Sequence, residues 1–296
     1  LHKDEPLFYA SLADNKTNSV SFKFRGEKQE VTLTNNVKWQ NGFVASKAYI
    51  TSPKTTPIIS DAGDLEKTNS FSYGAWVYLT TGMDGALFSR MDDTNNFRGW
   101  DLWFQGGKVG THIVSKWPED ALKVVTAKPI PAKMWSHVFI TYDGSAKAAG
   151  VKIYLNGELQ SVTVEKDKLE NSIRTEVPFK IGQRNTTSPL DAAGVQDLRI
   201  YEHALKPNEV KSLAQDSRMA YLLKNPKTRT NKRYKDELLE TWLNHIDPQS
   251  ADIRTQREVV DKESIDIKGR GTIALVMHEK DTSPEAFVLS RGEYDK

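Results

Sequence analysis

Between Met134 and Ala214 the chain reads MWSHVFITYDG, VKIYLNGEL, FKIGQR and VQDLRIYEHALKPNEVKSLA: short strands closed by turns, then a last strand that hands over to a helix. In Trp135 to Tyr142, Trp135, His137, Phe139 and Thr141 fall on one side of a strand, and Ser136, Val138, Ile140 and Tyr142 on the other. Asp143-Gly144 breaks that strand. Val151, Ile153 and Leu155 line one face of the next, and Asn156-Gly157 supplies the positive backbone angles of a tight hairpin turn. A run of this kind calls for a twisted antiparallel sandwich, and it governs the reading of everything upstream.

Upstream, strands are expected at Phe8-Tyr9, Val20 to Phe24, Val31 to Leu33, Phe43 to Ile50 and Phe71 to Leu79. The pattern continues at Ala86 to Arg90, Trp100 to Gln105, Val109 to Val114 and Leu122 to Thr126. Pro53, Pro57 and the Asp61-Ala-Gly-Asp64 cluster mark a loop before the strong strand at Phe71. After Tyr201 the period changes. Pro207 suits a first helical position, Glu209 lies near the positive helix end, and Leu205 and Val210 form a hydrophobic staple around a poor cap, Lys206. A second helix carries Tyr234, Leu238, Leu239, Trp242, Leu243 and Ile246 on one face. Asp247-Pro248 ends it and caps a third helix bearing Ile253, Val260 and Ile267, which Gly269-Arg-Gly271 stops. Thr272 to Met277 and Phe287 to Leu289 read as apolar, strand-like runs.

These residues carry a resemblance. W-x-H-V-x-x-T-Y-D-G, V-K-x-Y-x-N-G, I-G, Q-D-L-R-I-Y and a helix opening A-L-K-P-N-E-V resemble the LamG-type, concanavalin A-like jelly roll. FSYGAWVYL and GALFSRMD fit the same family in the same order. The tail TIALVMHE…AFVLSRGEYDK resembles the start of a PSD domain of planctomycete-type cytochrome c family proteins, and Gly99 to Val125 resembles the LamG segment of the same proteins. The resemblance implies a mainly β jelly-roll sandwich over 1–203, a helical extension over 204–268, and a truncated start of a PSD domain over 269–296. It also implies a periplasmic or extracellular location within a larger exported protein whose haem modules lie elsewhere. The chain opens with Leu1 rather than Met, and reads as a piece of such a protein.

Composition narrows the function classes. A net charge of +2 over 296 residues implies no dedicated nucleic-acid or membrane-surface partner, and no apolar run reaches the roughly 20 residues of a membrane span. With no cysteine, disulfides, thiolate metal sites, cysteine nucleophiles and covalent haem attachment are excluded within this segment. The basic run Lys224, Lys227, Arg229, Lys232, Arg233, Lys235 has one aromatic neighbour, Tyr234, and is followed by Asp236 and Glu237; it reads as a solvated linker.

Relatives of this fold include laminarinase-type hydrolases with an E-x-D-x-x-E strand. That spacing occurs at Glu165, Asp167 and Glu170, but Lys166 and Lys168 stand between them and would lower carboxyl pKa values, the opposite of what a general acid needs. We therefore expect a charged loop there and no enzyme in this segment. His137, alternating with Trp135 and Phe139, reads as a sandwich histidine.

Sugar recognition uses flat aromatic faces with amides, carboxylates and arginine for the hydroxyls. The stretch richest in these holds Asn95, Arg98, Trp100, Asp101, Trp103 and Trp117, the candidate ligand-binding residues. Trp100 and Trp103, three apart, must face opposite sides of a regular strand, and Arg98 and Asp101 are candidates to pair in an ordered loop. The resemblance also admits a structural Ca²⁺, with Asp197 and Asp14 as oxygen ligands and Asp61 with Asp64 as a second pair. The expected function is a non-catalytic carbohydrate-binding module whose partner is a polysaccharide or glycan. The alternative is a structural module docking neighbouring domains of the parent protein; a glycoside hydrolase is third.

Overall fold

The computed structural model describes residues 5–245 and 247–270. In its first part lie β1 (Phe8–Ala10), β2 (Ser19–Phe24), β3 (Glu27–Thr32), β4 (Trp39–Asn41), β5 (Lys47–Ile50), β6 (Ile58–Ile59), β7 (Phe71–Tyr78) and β8 (Gly85–Asp92). There follow β9 (Arg98–Gln105), β10 (Lys108–Lys116), β11 (Asp120–Pro129), β12 (Trp135–Tyr142), β13 (Val151–Leu155), β14 (Glu158–Leu159), β15 (Val162–Lys168), β16 (Phe179–Ile181) and β17 (Gly194–Tyr201). Helices α1 (Pro207–Lys224), α2 (Lys232–His245) and α3 (Ala251–Arg270) complete the order.

The strands form two sheets. A ten-stranded sheet runs β14-β13-β12-β7-β17-β1-β2-β3, with β5 joined to β17 and β4 to β5; a seven-stranded sheet runs β15-β11-β10-β9-β8-β16-β6. Every pairing between these strands is antiparallel. The chain is thus a mainly β two-sheet sandwich with C-terminal helices, as the alternation required. The hairpin after β13 turns at Asn156 (φ 52°) and Gly157 (φ 84°), the positive angles its Asn-Gly sequence favours.

One side of each strand fills the space between the sheets. Trp100 of β9 is 1% exposed and stacks on Tyr73 of β7 at 4.6 Å and on Phe179 of β16 at 6.0 Å, while its indole N–H donates to the Gly63 carbonyl. Phe8, Phe22, Phe88, Ile140 and Ile200 are among the side chains that extend this core. At roughly 25 cal/mol per Å² of apolar area removed from water, such side chains contribute about 1.5–3 kcal/mol each.

Helix α1 follows the sandwich and covers part of the ten-stranded sheet. Leu205, Val210 and Leu213 pack with Phe139, Tyr154 and Tyr201 in a second buried cluster. The staple residues are therefore buried, and the Glu209 carboxylate accepts from the Lys206 backbone N–H at 2.6 Å, closing the first turn. A second compact unit begins at Trp242. Within it Asp247 Oδ2 accepts from the Ser250 N–H and hydroxyl, and Arg254 donates to the Leu243 and Asp247 carbonyls.

Two local expectations are corrected. Only Lys47–Ile50 of the Phe43 to Ile50 run is strand, because the Phe43 and Val44 amides turn in to bond Gln196 Oε1. Val162–Lys168 is an edge strand of the seven-stranded sheet rather than a loop, with Glu165, Asp167 and Lys168 exposed and Lys166 half-buried beside β11. Ile246 and the apolar runs at 272–277 and 287–289 lie outside the described residues. Among those described, no helix is long and apolar enough to cross a membrane.

Candidate functional site

The strand β9 sends Trp100, Leu102 and Phe104 into the core, so Asp101 and Trp103 emerge on the other face of the seven-stranded sheet. The register places Asp101 beside His112 of β10, and His112 beside Lys123 of β11. Trp103 faces Gly110, which sets no side chain opposite the indole. Trp103, His112 and Lys123, together with Phe97, Trp117 and Arg184, line a hollow of about 350 Å³ whose lining also includes Asp84 and Gln105.

Its floor is an internally neutralised cluster. Asp101 is fully buried; Oδ1 accepts from the His112 backbone N–H at 2.9 Å and faces His112 Nδ1 at 3.0 Å. Oδ2 accepts from Arg184 Nε and Nη2 at 3.0 and 2.7 Å. Burial alone would push this carboxyl up, but His112 and Arg184 outweigh it and hold it down at about 2. The Arg184 guanidinium lies 4.2 Å from the Trp103 ring centre and 5.4 Å from that of Phe97, so the salt bridge also props the aromatic wall. Trp117 meets His112 edge-on at 5.4 Å, as Trp103 does at 5.9 Å. Beneath Phe97 and Trp117, Met91, Val114 and Ala121 make a small buried apolar base.

Neighbouring loops fix this arrangement. Asp93 accepts from the backbone N–H and hydroxyl groups of both Thr186 and Thr187, tying the β8–β9 turn to the segment that carries Arg184. Asp120 accepts from the Glu170 and Asn171 amides, holding the start of β11 to the chain after β15. The ammonium groups of Lys123 and Lys166 stand 5.9 and 6.0 Å from the Trp117 ring centre.

Of the six candidate ligand residues, Trp103 and Trp117 line the hollow and Asp101 lies under it. Trp100 is withdrawn into the core by strand alternation. Asn95 sits in the exposed β8–β9 turn, where its carbonyl accepts from the Arg98 N–H. Arg98 donates to the Ser172 carbonyl, so the expected Arg98–Asp101 pair does not form: a strand puts residues three apart on opposite faces. Arg184 takes Asp101 from 83 positions away. His112 and Arg184 were not singled out from sequence. The alternation of VGTHIV signals an outward His112; nothing local signals Arg184, which ends the FKIGQR motif.

The hydrolase-like spacing is scattered. Glu165 pairs with Lys123 at 2.8 Å, Asp167 accepts from the Ala148 N–H, and Glu170 lies exposed near Lys168 at 3.7 Å. The calcium pair does not fit a cation: Asp197 holds the Arg199 guanidinium at 2.9 Å and accepts from the Ser217 hydroxyl. Asp14 accepts from the Ser21 N–H and the Ser11 hydroxyl. Both carboxylates act on Tyr9, which burial first, and then Asp197, push up to about 12. Asp61 and Asp64 border the loop under Trp100, Asp64 facing Arg174 at 3.9 Å. Among the described residues no group of three histidines or carboxylates converges for a metal.

His137 is buried on the outer face of the ten-stranded sheet, between Trp76 at 5.4 Å and Phe139 at 5.4 Å, and its Nδ1 has no hydrogen-bond partner. Burial pushes this imidazole down to about 4.

The profile of the Laminin_G_3 family, described as the concanavalin A-like lectin/glucanases superfamily, matches residues 46–211. The chain belongs to that superfamily. Solved structures agree with this lectin/glucanase fold. The binding domain of Paraclostridial Mosquitocidal Protein 1 superposes with a TM-score of 0.52 at 17% identity, over 73% of this chain and 53% of that one. The botulinum neurotoxin serotype G binding domain gives 0.50 at 14%, over 71% and 50%. A botulinum neurotoxin type C structure, described in terms of cell entry through two ganglioside molecules, gives 0.52 at 14%, over 72% and 51%. The chain spans about half the length of these proteins. No curated protein sequence matches it. The family match ends at residue 211 and supports neither the PSD domain nor the cytochrome c family expected for the tail, of which residues 271–296 lie outside the described ones.

Proposed function

We propose that the sandwich is a non-catalytic carbohydrate-binding module of a larger exported bacterial protein, with its ligand in the hollow lined by Phe97, Trp103 and Trp117. The observation that carries this reading is the placement of three partly exposed aromatic side chains around a rigid polar floor. Indole faces bury the apolar side of a sugar ring, and Arg184, Lys123 and Gln105 supply hydrogen bonds around it. The volume, about 350 Å³, is at the small end of ligand sites and suits a short stretch of glycan. The ganglioside dependence of the type C neurotoxin relative is consistent with a glycan partner.

Catalysis is disfavoured by the same floor. A general acid needs a raised pKa, and Asp101 is held ionised beneath two indoles. Glu165 is neutralised by Lys123. Affinity electrophoresis through gels carrying a panel of polysaccharides tests the proposal. Retention by at least one polymer, lost in Trp117→Ala, is expected; equal retention of wild type and variant would place the ligand elsewhere.

A second reading, docking of neighbouring domains such as the PSD and haem parts that the resemblance implies, draws on the helices. Leu239 in α2 and, in the second unit, Trp242, Ile253, Val260 and Ile267 are exposed apolar side chains. Co-purification of the chain with the adjoining segments of its parent would favour this reading, and could hold alongside the first.

A further inference from the structure

The groups that face the hollow are unequally divided between hydrogen-bond donors and acceptors. Arg184 spends Nε and Nη2 on Asp101, and Nη1 enters none of these bonds. Lys123, which lines the hollow, and Lys166, at its edge, bring two ammonium groups to the same indole. Part of the acceptor capacity is already engaged: Asp101 is buried under Arg184 and His112, Gln105 Oε1 takes the Lys123 ammonium at 2.9 Å, and Asp84 Oδ1 takes the Gly106 N–H at 2.5 Å, leaving Asp84 Oδ2 as an open carboxylate oxygen on the lining.

A neutral sugar presents hydroxyls, each of which must both donate and accept when water is excluded, and a donated proton without an acceptor costs about 1–3 kcal/mol. A carboxylate or sulfate asks only for donors. Charge points the same way at the Trp117 end. Arg184 offsets Asp101 and Lys123 offsets Glu165; among the ion pairs of the described residues, Lys166 beside Trp117 has no acidic partner, and Asp84, on the lining near Gln105, has no basic one.

We propose that the glycan bound here is anionic, carrying a carboxylate or sulfate group that sits at the Trp117 end of the hollow between Lys123 and Lys166. This deepens, and rests on, the carbohydrate-binding reading. The flanking hollow then receives the rest of the sugar ring against Trp103 and Phe97.

The test measures binding of the whole chain to matched polymer pairs: polygalacturonate against its methyl-esterified form for the carboxylate, and dextran sulfate against dextran for the sulfate. One acidic polymer should bind about tenfold or more tighter than its neutral partner at low salt, and most of that margin should vanish in about 0.5 M salt as the charges are screened. Lys166→Gln should remove several-fold of the acidic preference without altering the melting temperature, whereas Trp117→Ala should abolish binding to the acidic polymer. Equal binding of each neutral and acidic partner would overturn the anionic assignment and leave the carbohydrate-binding reading standing. Salt-sensitive binding unchanged in both Lys166→Gln and Trp117→Ala would mark diffuse attraction to the chain and overturn it too. Binding to no glycan at all would remove both.

Discussion

The outer faces of the two sheets are built from similar materials and meet different fates. On the ten-stranded sheet, Trp76, His137, Phe139, Tyr154 and Tyr201 are roofed by Phe43 and by Leu205, Val210 and Leu213 at the start of α1. On the seven-stranded sheet, Trp103, Trp117, Phe97 and His112 have no such roof and line a hollow. Each face holds a buried histidine. His137 sits among rings with an unpartnered Nδ1; His112 lies against a carboxylate that Arg184 shares. Aromatic content alone therefore does not make a site. A helix that covers one face turns its rings into core, and a charged, self-neutralised floor on the other holds its rings at the surface.

This contrast can be broken first at the strand the core and the hollow share. Trp100→Ala should destabilise the fold by about 3–5 kcal/mol, because it empties the inter-sheet stack with Tyr73 and Phe179. Urea denaturation measures this, and a loss below about 1 kcal/mol would deny Trp100 its core role.

Next in size is Asp101→Asn. It strands the Arg184 charge against buried surroundings, and removing one partner of a buried pair costs about 3–5 kcal/mol, here placed at the lower end because Asn still accepts one hydrogen bond. The same pair has an acid signature. A carboxyl held at about 2 in the fold and near 3.9 unfolded lends stability above pH ~4, lost as pH falls toward 2.

The covered face should respond to acid earlier. His137 is held neutral down to about pH 4, whereas an unfolded histidine protonates near 6.5. Between those values the unfolded state binds the extra proton, so stability falls as pH drops through this window, by up to about 3 kcal/mol. His137→Phe should flatten the 6.5-to-4 limb of a stability–pH curve and leave the lower limb attributed to Asp101. An unchanged upper limb would show that another group titrates there.

The sandwich was legible because alternation is local. Trp135 to Tyr142 and the Asn156-Gly157 turn carry their own geometry, and the opposite facing of Trp100 and Trp103 follows from their spacing alone. Which of the two would be outward did not follow, since that depends on where Tyr73 and Phe179 stand across the core. The partner of Asp101 was hidden for the same reason: Arg184 arrives from the far end of β16, and its approach is fixed by Asp93 gripping Thr186 and Thr187. The edge strand at 162–168 was missed because its side chains are nearly all exposed, so no hydrophobic period marked it. Helix α1 announced its own start through Pro207 and Glu209, but not the sheet face it would cover.

The most direct test of the open-face account is the Trp103→Ala, Trp117→Ala double variant, followed by both calorimetric binding to a retained glycan and thermal unfolding. The account predicts binding weakened beyond about 100-fold, from the loss of two ring contacts, with a melting temperature changed by only a few degrees. A double variant that binds like the wild type, or that unfolds as readily as Trp100→Ala, would contradict it.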